Sequence, residues 1–146
     1  MSSQSTPLNN GQQAIVHSDL SRIFVGDNKF IKGTYNNSAY SDLSLAVGQV
    51  LGRVAATGWL KECNPAASDG SQFPIGVLAE ERVIAGGDTV ELYICTYGKV
   101  VPSALLFAGG GNLDNTVSSR RVRDWMQLAG FYLIPSNTEM SAKDNE

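Results

Sequence analysis

The alternation of apolar and polar positions predicts a mostly β chain. Asp88 to Thr96 sets Val90, Leu92 and Ile94 on one face and Thr89, Glu91 and Tyr93 on the other. A period of two with one polar face predicts a half-buried strand. Arg22 to Val25 and Lys29 to Tyr35 read as two short strands separated by a Gly-Asp-Asn turn. Val47 to Ala55 is interrupted by Gly48 and Gly52, which predicts bulges or close backbone approach. Two apolar runs then flank a polar loop ending in Asp69-Gly70-Ser71, the second closing on Ile75-Gly76-Val77-Leu78-Ala79. Asp-Gly between β-patterned segments predicts a hairpin turn, because glycine supplies the positive φ. Tyr97-Gly98-Lys99 reads as a turn into Val100 and Val101. Pro102 reads as the start of a helical turn through Phe107.

One segment has helical spacing. From Ser118 to Ala129, the residues Val122, Trp125, Met126 and Ala129 fall at i, i+3, i+4 and i+7. Ser118 or Thr116 is placed to cap its N-terminus, and Gly130 to form a left-handed C-terminal cap. Phe131 to Ile134 makes a final strand. Both ends are polar. Met1 to Gln13 holds little to bury and is expected to be disordered when alone, and Pro135 to Glu146 is tail-like. The expected organisation is an arm over 1–13, a folded body over 14–134 and a tail over 135–146.

A chain of 146 residues suits one domain with its own core. A net charge of -3 argues against nucleic acid as a partner. No apolar run approaches the roughly 18 residues of a membrane span, so no membrane partner is expected. The segment MSSQSTPLNNGQQ lacks the basic start and apolar core of a secretory signal, so the product is expected to stay in the compartment where it is made. Cys63 and Cys95 with the single His17 fall short of the four ligands of a structural zinc site. Two buried free thiols are the expected state, with a disulfide as the alternative.

The candidate chemistry is thin. Asp69-Gly70-Ser71 lacks the alternating carboxylates of a calcium loop. Gly109-Gly110-Gly111 is followed by Asn112-Leu113, not the Lys-Ser of a phosphate loop, and reads as a flexible connection. His17 has no nucleophile beside it. No catalytic constellation, metal site or cofactor is expected, so the chain is read as a non-enzyme. Arg120, Arg121 and Arg123 form the one basic cluster. A solvated helix face is the default reading, and an acidic protein surface is the functional alternative. Trp59, Phe73, Trp125 and Phe131 read as core or subunit interface rather than a sugar platform.

From Leu60 to Ile134 the order of features resembles the head decoration, or capsid-stabilising, proteins of lambda-type tailed phages. A strand leads into the loop closed by Asp69-Gly70. Then follow Ile75-Gly76-Val77-Leu78-Ala79, similar to the family's Val-Gly-Ile-Leu phrase, and a strand ending near Tyr97-Gly98-Lys99. A short apolar piece from Ala104 to Phe107 precedes a charged helix through Arg120 and Arg121, then Ala129-Gly130 and Phe131 to Ile134. Gly48-Gln49-Val50-Leu51-Gly52-Arg53 is similar to the leading strand of longer members.

The resemblance implies a compact β-rich body, like a small β-barrel or β-sandwich, with one short amphipathic helix and extended polar tails. It implies homotrimers on the outside of the virion head, made in the host bacterial cytoplasm and bound to the major capsid protein. It also implies an N-terminal arm that orders on the shell, with contacts at Thr6, Pro7 and Leu8 and continuing to Ile15 and Val16. Asp69, Gly70 and Gly76 are the residues of the hairpin. Trp59, Phe73, Arg120 and Arg121 are candidate subunit or capsid contacts. The alternative is a β-rich adhesive or carbohydrate-binding module, such as the base of a head fibre. The chain departs from short family members at Ala14 to Ala46, at Gly109 to Val117 and at Pro135 to Glu146.

Overall fold

The computed structural model describes residues 23–134. Among the described residues ten strands and one α-helix follow in chain order. The strands are β1 (Phe24–Asn36), β2 (Leu43–Leu45), β3 (Val50–Arg53), β4 (Leu60–Glu62), β5 (Gly76–Leu78), β6 (Arg82–Ile84) and β7 (Thr89–Val100). A 3-10 turn at Pro102–Ala104 leads to β8 (Thr116–Val117), β9 (Arg120–Arg121), helix α1 (Val122–Ala129) and β10 (Phe131–Leu133). The fold is mainly β with a short helix, as the patterning predicts. No helix among the described residues is long and apolar enough to cross a membrane.

The main sheet runs β10-β7-β1-β4-β3-β5, and β5 also pairs with β7. The pairings from β7 through β1, β4, β3 and β5 therefore return to β7. All five strands of this circuit send residues into one cluster: Tyr35, Leu51, Leu60, Leu78, Leu92 and Ile94, joined by Leu45 and Ile84 of the β2–β6 ribbon. The other side carries a second cluster that includes Phe24, Val50, Cys63, Val77, Cys95 and Val100, covered by Val122, Met126 and Phe131. Chain neighbours Val50 and Leu51, Val77 and Leu78, and Ile94 and Cys95 go to opposite clusters. That is the period of two in strands buried on both faces.

Several elements differ from the sequence reading. The Gly-Asp-Asn segment is not a turn between two strands. It is an irregularity inside the single strand β1, where the register against β7 shifts between Phe24 and Phe30. Asp27 sits at φ 55°. Asn28 is held by Nδ2 donating to the Lys99 carbonyl at 3.1 Å. Across from it, Gly98 at φ 129° has no side chain, and a Cβ there would lie 2.6 Å from Asn28 Nδ2. For the same reason Tyr97-Gly98-Lys99 is strand and not a turn. Cys95 also makes the second face of β7 apolar in part.

The hairpin at Asp69-Gly70 is likewise corrected. β4 and β5, which flank that loop, each pair with β3 and not with each other. The loop instead lies over the end of β3. The Ala55 amide donates to the Asp69 carbonyl at 2.8 Å. A Cβ at Gly52 would collide with the Ser71 backbone, and one at Gly70 would lie 2.6 Å from the Arg53 carbonyl. Close approach at Gly48 and Gly52, as the pattern predicts, is what lets these segments stack.

The helix begins at Val122 instead of Ser118. Ser118 and Ser119 have φ 48° and 71° and turn the chain between β8 and β9. Neither Ser118 nor Thr116 caps α1; Arg121 holds the N-cap position without a side-chain bond. Gly130 closes the helix at φ 114°, as expected. Val122 and Met126 are fully buried, Trp125 is half-buried and Ala129 is exposed. The turn after Pro102 stops at Ala104, short of Phe107. Gly109 and Gly110, at φ 64° and 72°, form a turn rather than an unstructured connection, with Gly109 against Asn64 and Gly111 against Pro65.

Candidate functional site

The surface of this body divides into two ends of β1. At one end, Phe24 pairs with Val100 across β1–β7, and Leu133 pairs with Val100 across β10–β7. The Val101 amide donates to the Ile23 carbonyl at 2.8 Å, and the Ile134 amide to the Val100 carbonyl at 3.0 Å. The described body therefore begins and ends on the two strands that flank Val100. The strand spacing of about 4.8 Å puts these two points roughly 10 Å apart. Thr6, Pro7, Leu8, Ile15 and Val16, together with both expected tails and His17, lie outside the described residues.

At the other end, Asn36 pairs with Thr89, and the loop after it is stapled. The Asn37 side chain is buried, and its Nδ2 is within reach of the carbonyls of Ile84 at 2.9 Å, Ser41 at 3.0 Å and Ala85 at 3.3 Å. Its Oδ1 accepts from the Ala39 amide at 3.2 Å. The Gly87 amide donates to the Asn37 carbonyl at 2.7 Å, and Gly86 to Asp42 Oδ1 at 3.3 Å. At the tip of this fixed loop Tyr40 is fully exposed. The sequence reading passed over Asn37 and Tyr40. The signal available was Asn-Asn-Ser facing Gly-Gly-Asp, but the partner carbonyls are distant in sequence.

Of the residues singled out earlier, Asp69, Gly70 and Ser71 form a loop that closes on its own hydrogen bonds and lies over the end of β3. The Ser71 hydroxyl donates to Asp69 Oδ1 at 2.6 Å and its amide to the same oxygen at 3.0 Å. Those bonds, with a weaker contribution from Lys61 at 3.3 Å, hold the Asp69 carboxyl down at about 2. Gly76 is buried in β5, where a Cβ would lie 3.0 Å from Ile94 Cδ1. Trp59 is exposed just before β4. Phe73 packs edge to face on Trp125 at 4.9 Å, so its ring is engaged within the chain. Arg120 and Arg121 are exposed on β9, not on the helix face the spacing predicts. The Arg120 guanidinium lies 5.5 Å over the Trp125 ring, whose Nε1 donates to the Val117 carbonyl at 2.8 Å.

Cys63 and Cys95 are free and buried. Burial pushes the Cys63 thiol up to about 12 and raises Cys95 as well, so neither is a ready nucleophile. Tyr35, buried, donates its hydroxyl to Glu62. Desolvation first, then that bond, raises its pKa. Among the described residues no three His, Cys, Asp or Glu side chains are grouped to hold a metal ion. Two shallow depressions of about 280 and 240 Å³ flank Gly111. The first is lined by Ser103, Asp114 and Arg123, the second by Asn64 and Asn115.

A family model described as bacteriophage lambda head decoration protein D matches residues 28–116. The matched segment takes in most of β1 and the Gly109–Gly111 turn, both of which the sequence pattern set apart as departures. It stops before α1. No curated protein matches the chain.

Proposed function

Because the chain belongs to the bacteriophage lambda head decoration protein D family, we propose that it is a structural virion protein that binds the outside of an assembled phage head. The match over residues 28–116, which holds four strands of the sheet circuit whole and most of β1, carries this reading. Its partner is the major capsid protein, and it acts as a homotrimer that clamps neighbouring capsid subunits against genome pressure. The arm over 1–13, with Thr6, Pro7 and Leu8 and reaching Ile15 and Val16, supplies the attachment by adding a strand to an exposed sheet edge. The body over 14–134 carries the arm, and the tail over 135–146 is a second point of contact. Three arms on one trimer raise attachment through effective concentration. No turnover and no nucleic-acid or membrane binding is assigned to it.

The physical requirement is preference for the assembled shell over free subunits, since equal affinity would shift no equilibrium. The test is titration onto heads that lack the protein, scored by genome release on heating. Release should move to higher temperature and saturate at a fixed stoichiometry. Deleting residues 2–13 should leave the circular dichroism of the body unchanged while shell binding falls sharply. Unchanged release at saturating occupancy would reject the stabilising role in favour of an adhesive module. Full binding by the truncated chain would reject the arm.

A further inference from the structure

We propose that copies of this chain meet head to tail, with the arginine ribbon β8–β9 of one copy seated against the Tyr40 loop of the next. The inference rests on the trimer reading above and assigns its contact. Two observations on opposite parts of the molecule carry it.

The first is the ribbon. Both residues of its turn, Ser118 and Ser119, lie in the left-handed region. Asn-Gly is the pair that suits such a turn, and two serines are strained there. The turn fixes the aim of Arg120 and Arg121. Arg121 is 3.9 Å from Asp114 Oδ1, an oxygen already bonded by Arg123 Nε at 3.2 Å and Nη2 at 2.9 Å. Arg120 has no carboxylate partner among the described residues and rests on Trp125. Asp124 is exposed nearby on α1. Arginines are thus concentrated and under-paired on an acidic chain.

The second is the Tyr40 loop. The Asn37 staple holds it in one shape, so a partner need not order it on binding. Asp42 and Asp88 are exposed beside it, and residues 37–42 and 84–89 contain no Lys or Arg. An aromatic face flanked by carboxylates suits a guanidinium, through cation–π attraction and charge-assisted hydrogen bonds. Among the described residues no ion pair links this loop to the ribbon within one copy. A surface and its complement at separate places on one chain make a heterologous contact, which closes into a ring when its rotation allows.

The experiment is sedimentation velocity of the full chain over a range of concentrations, at low and at high salt. The variants are Arg121→Glu, Asp88→Lys, their combination and Tyr40→Ala, each checked for folding by circular dichroism. Asp88 is chosen because its carboxylate takes no part in the staple. Each single reversal should raise the midpoint concentration of association by about tenfold or more. The combination should return it to within about threefold of wild type. Tyr40→Ala should weaken association without unfolding, and high salt should weaken the wild type. Single reversals without effect, or a combination that recovers nothing, would overturn the contact. A wild type monomeric at every concentration would overturn the contact, while the trimer reading is tested separately by the stoichiometry on heads. Head binding by the same samples reports separately on the capsid role.

Discussion

Leu51, Leu78 and Ile94 face one side of the sheet circuit, while Val50, Val77 and Cys95, their chain neighbours, face the other. The two clusters so formed differ in what completes them. Every residue of the first, from Tyr35 to Ile94, lies inside the segment 28–116 that matches the family. The second is closed by Ile23, Phe24, Val117, Val122, Met126 and Phe131, all outside that segment. The matched segment thus holds the first cluster whole, while helix α1 and strand β10, which cover the second, lie beyond it.

The sharpest way to break the comparison is to cut one side chain from each cluster. Leu92 is fully buried in a cluster drawn from six other strands, and Leu92→Ala should cost about 3–5 kcal/mol. Met126 is equally buried, but it lies on a helix of eight residues that can settle into the space. Met126→Ala should cost about 2–3 kcal/mol, the low end for such a change. Urea melts with unchanged slope would measure both. A larger loss at Met126 would make the cover, not the circuit, the main source of stability.

A smaller effect is expected at the staple. Asn37→Ala leaves the Ile84 carbonyl without that side-chain donor and should cost about 1–3 kcal/mol. Amide exchange should speed at Ala39 and Gly87 while Leu92 stays protected. Uniform acceleration throughout the molecule would show that the loop is part of the global unfolding unit.

The least effect belongs to Asp69. Its folded pKa of about 2 lies below the ordinary 3.8, so its contribution is present above pH 4 and is lost as pH falls toward 2. The carboxylate is solvent-facing, so screening keeps the effect small. The stability gap between wild type and Asp69→Asn should therefore narrow as pH drops through that window. A gap that widens would contradict the Ser71 hydrogen bonds as its cause.

Part of this was legible in the sequence. Alternation found Leu92 and Ile94, and the glycines at 48 and 52 marked real close approaches. Helical spacing found Val122 and Met126, and Gly130 marked the helix end. What escaped was set by partners far along the chain. The Gly-Asp-Asn irregularity depends on Gly98, and the supposed hairpin fails because β3 lies between β4 and β5. A two-residue strand such as β9 has no period to read, and Ser118-Ser119 carries no turn signal. Asn37 looks like loop until the Ile84 carbonyl is placed above it. Of the candidate contacts, Trp59, Arg120 and Arg121 are exposed and Phe73 packs on Trp125.

The long strand β1 has a consequence for how the molecule is made. Its partners Thr89 through Val100 come late in the chain. Until those residues are made, most of β1 lacks its partner, and contacts of such separation form slowly. Asp27, Lys29 and Lys32 put charge along it, and Gly26 and Gly33 weaken it as a template. Charge and glycine along β1 thus make it a poor template for another copy of the chain while its β7 partner is still unmade.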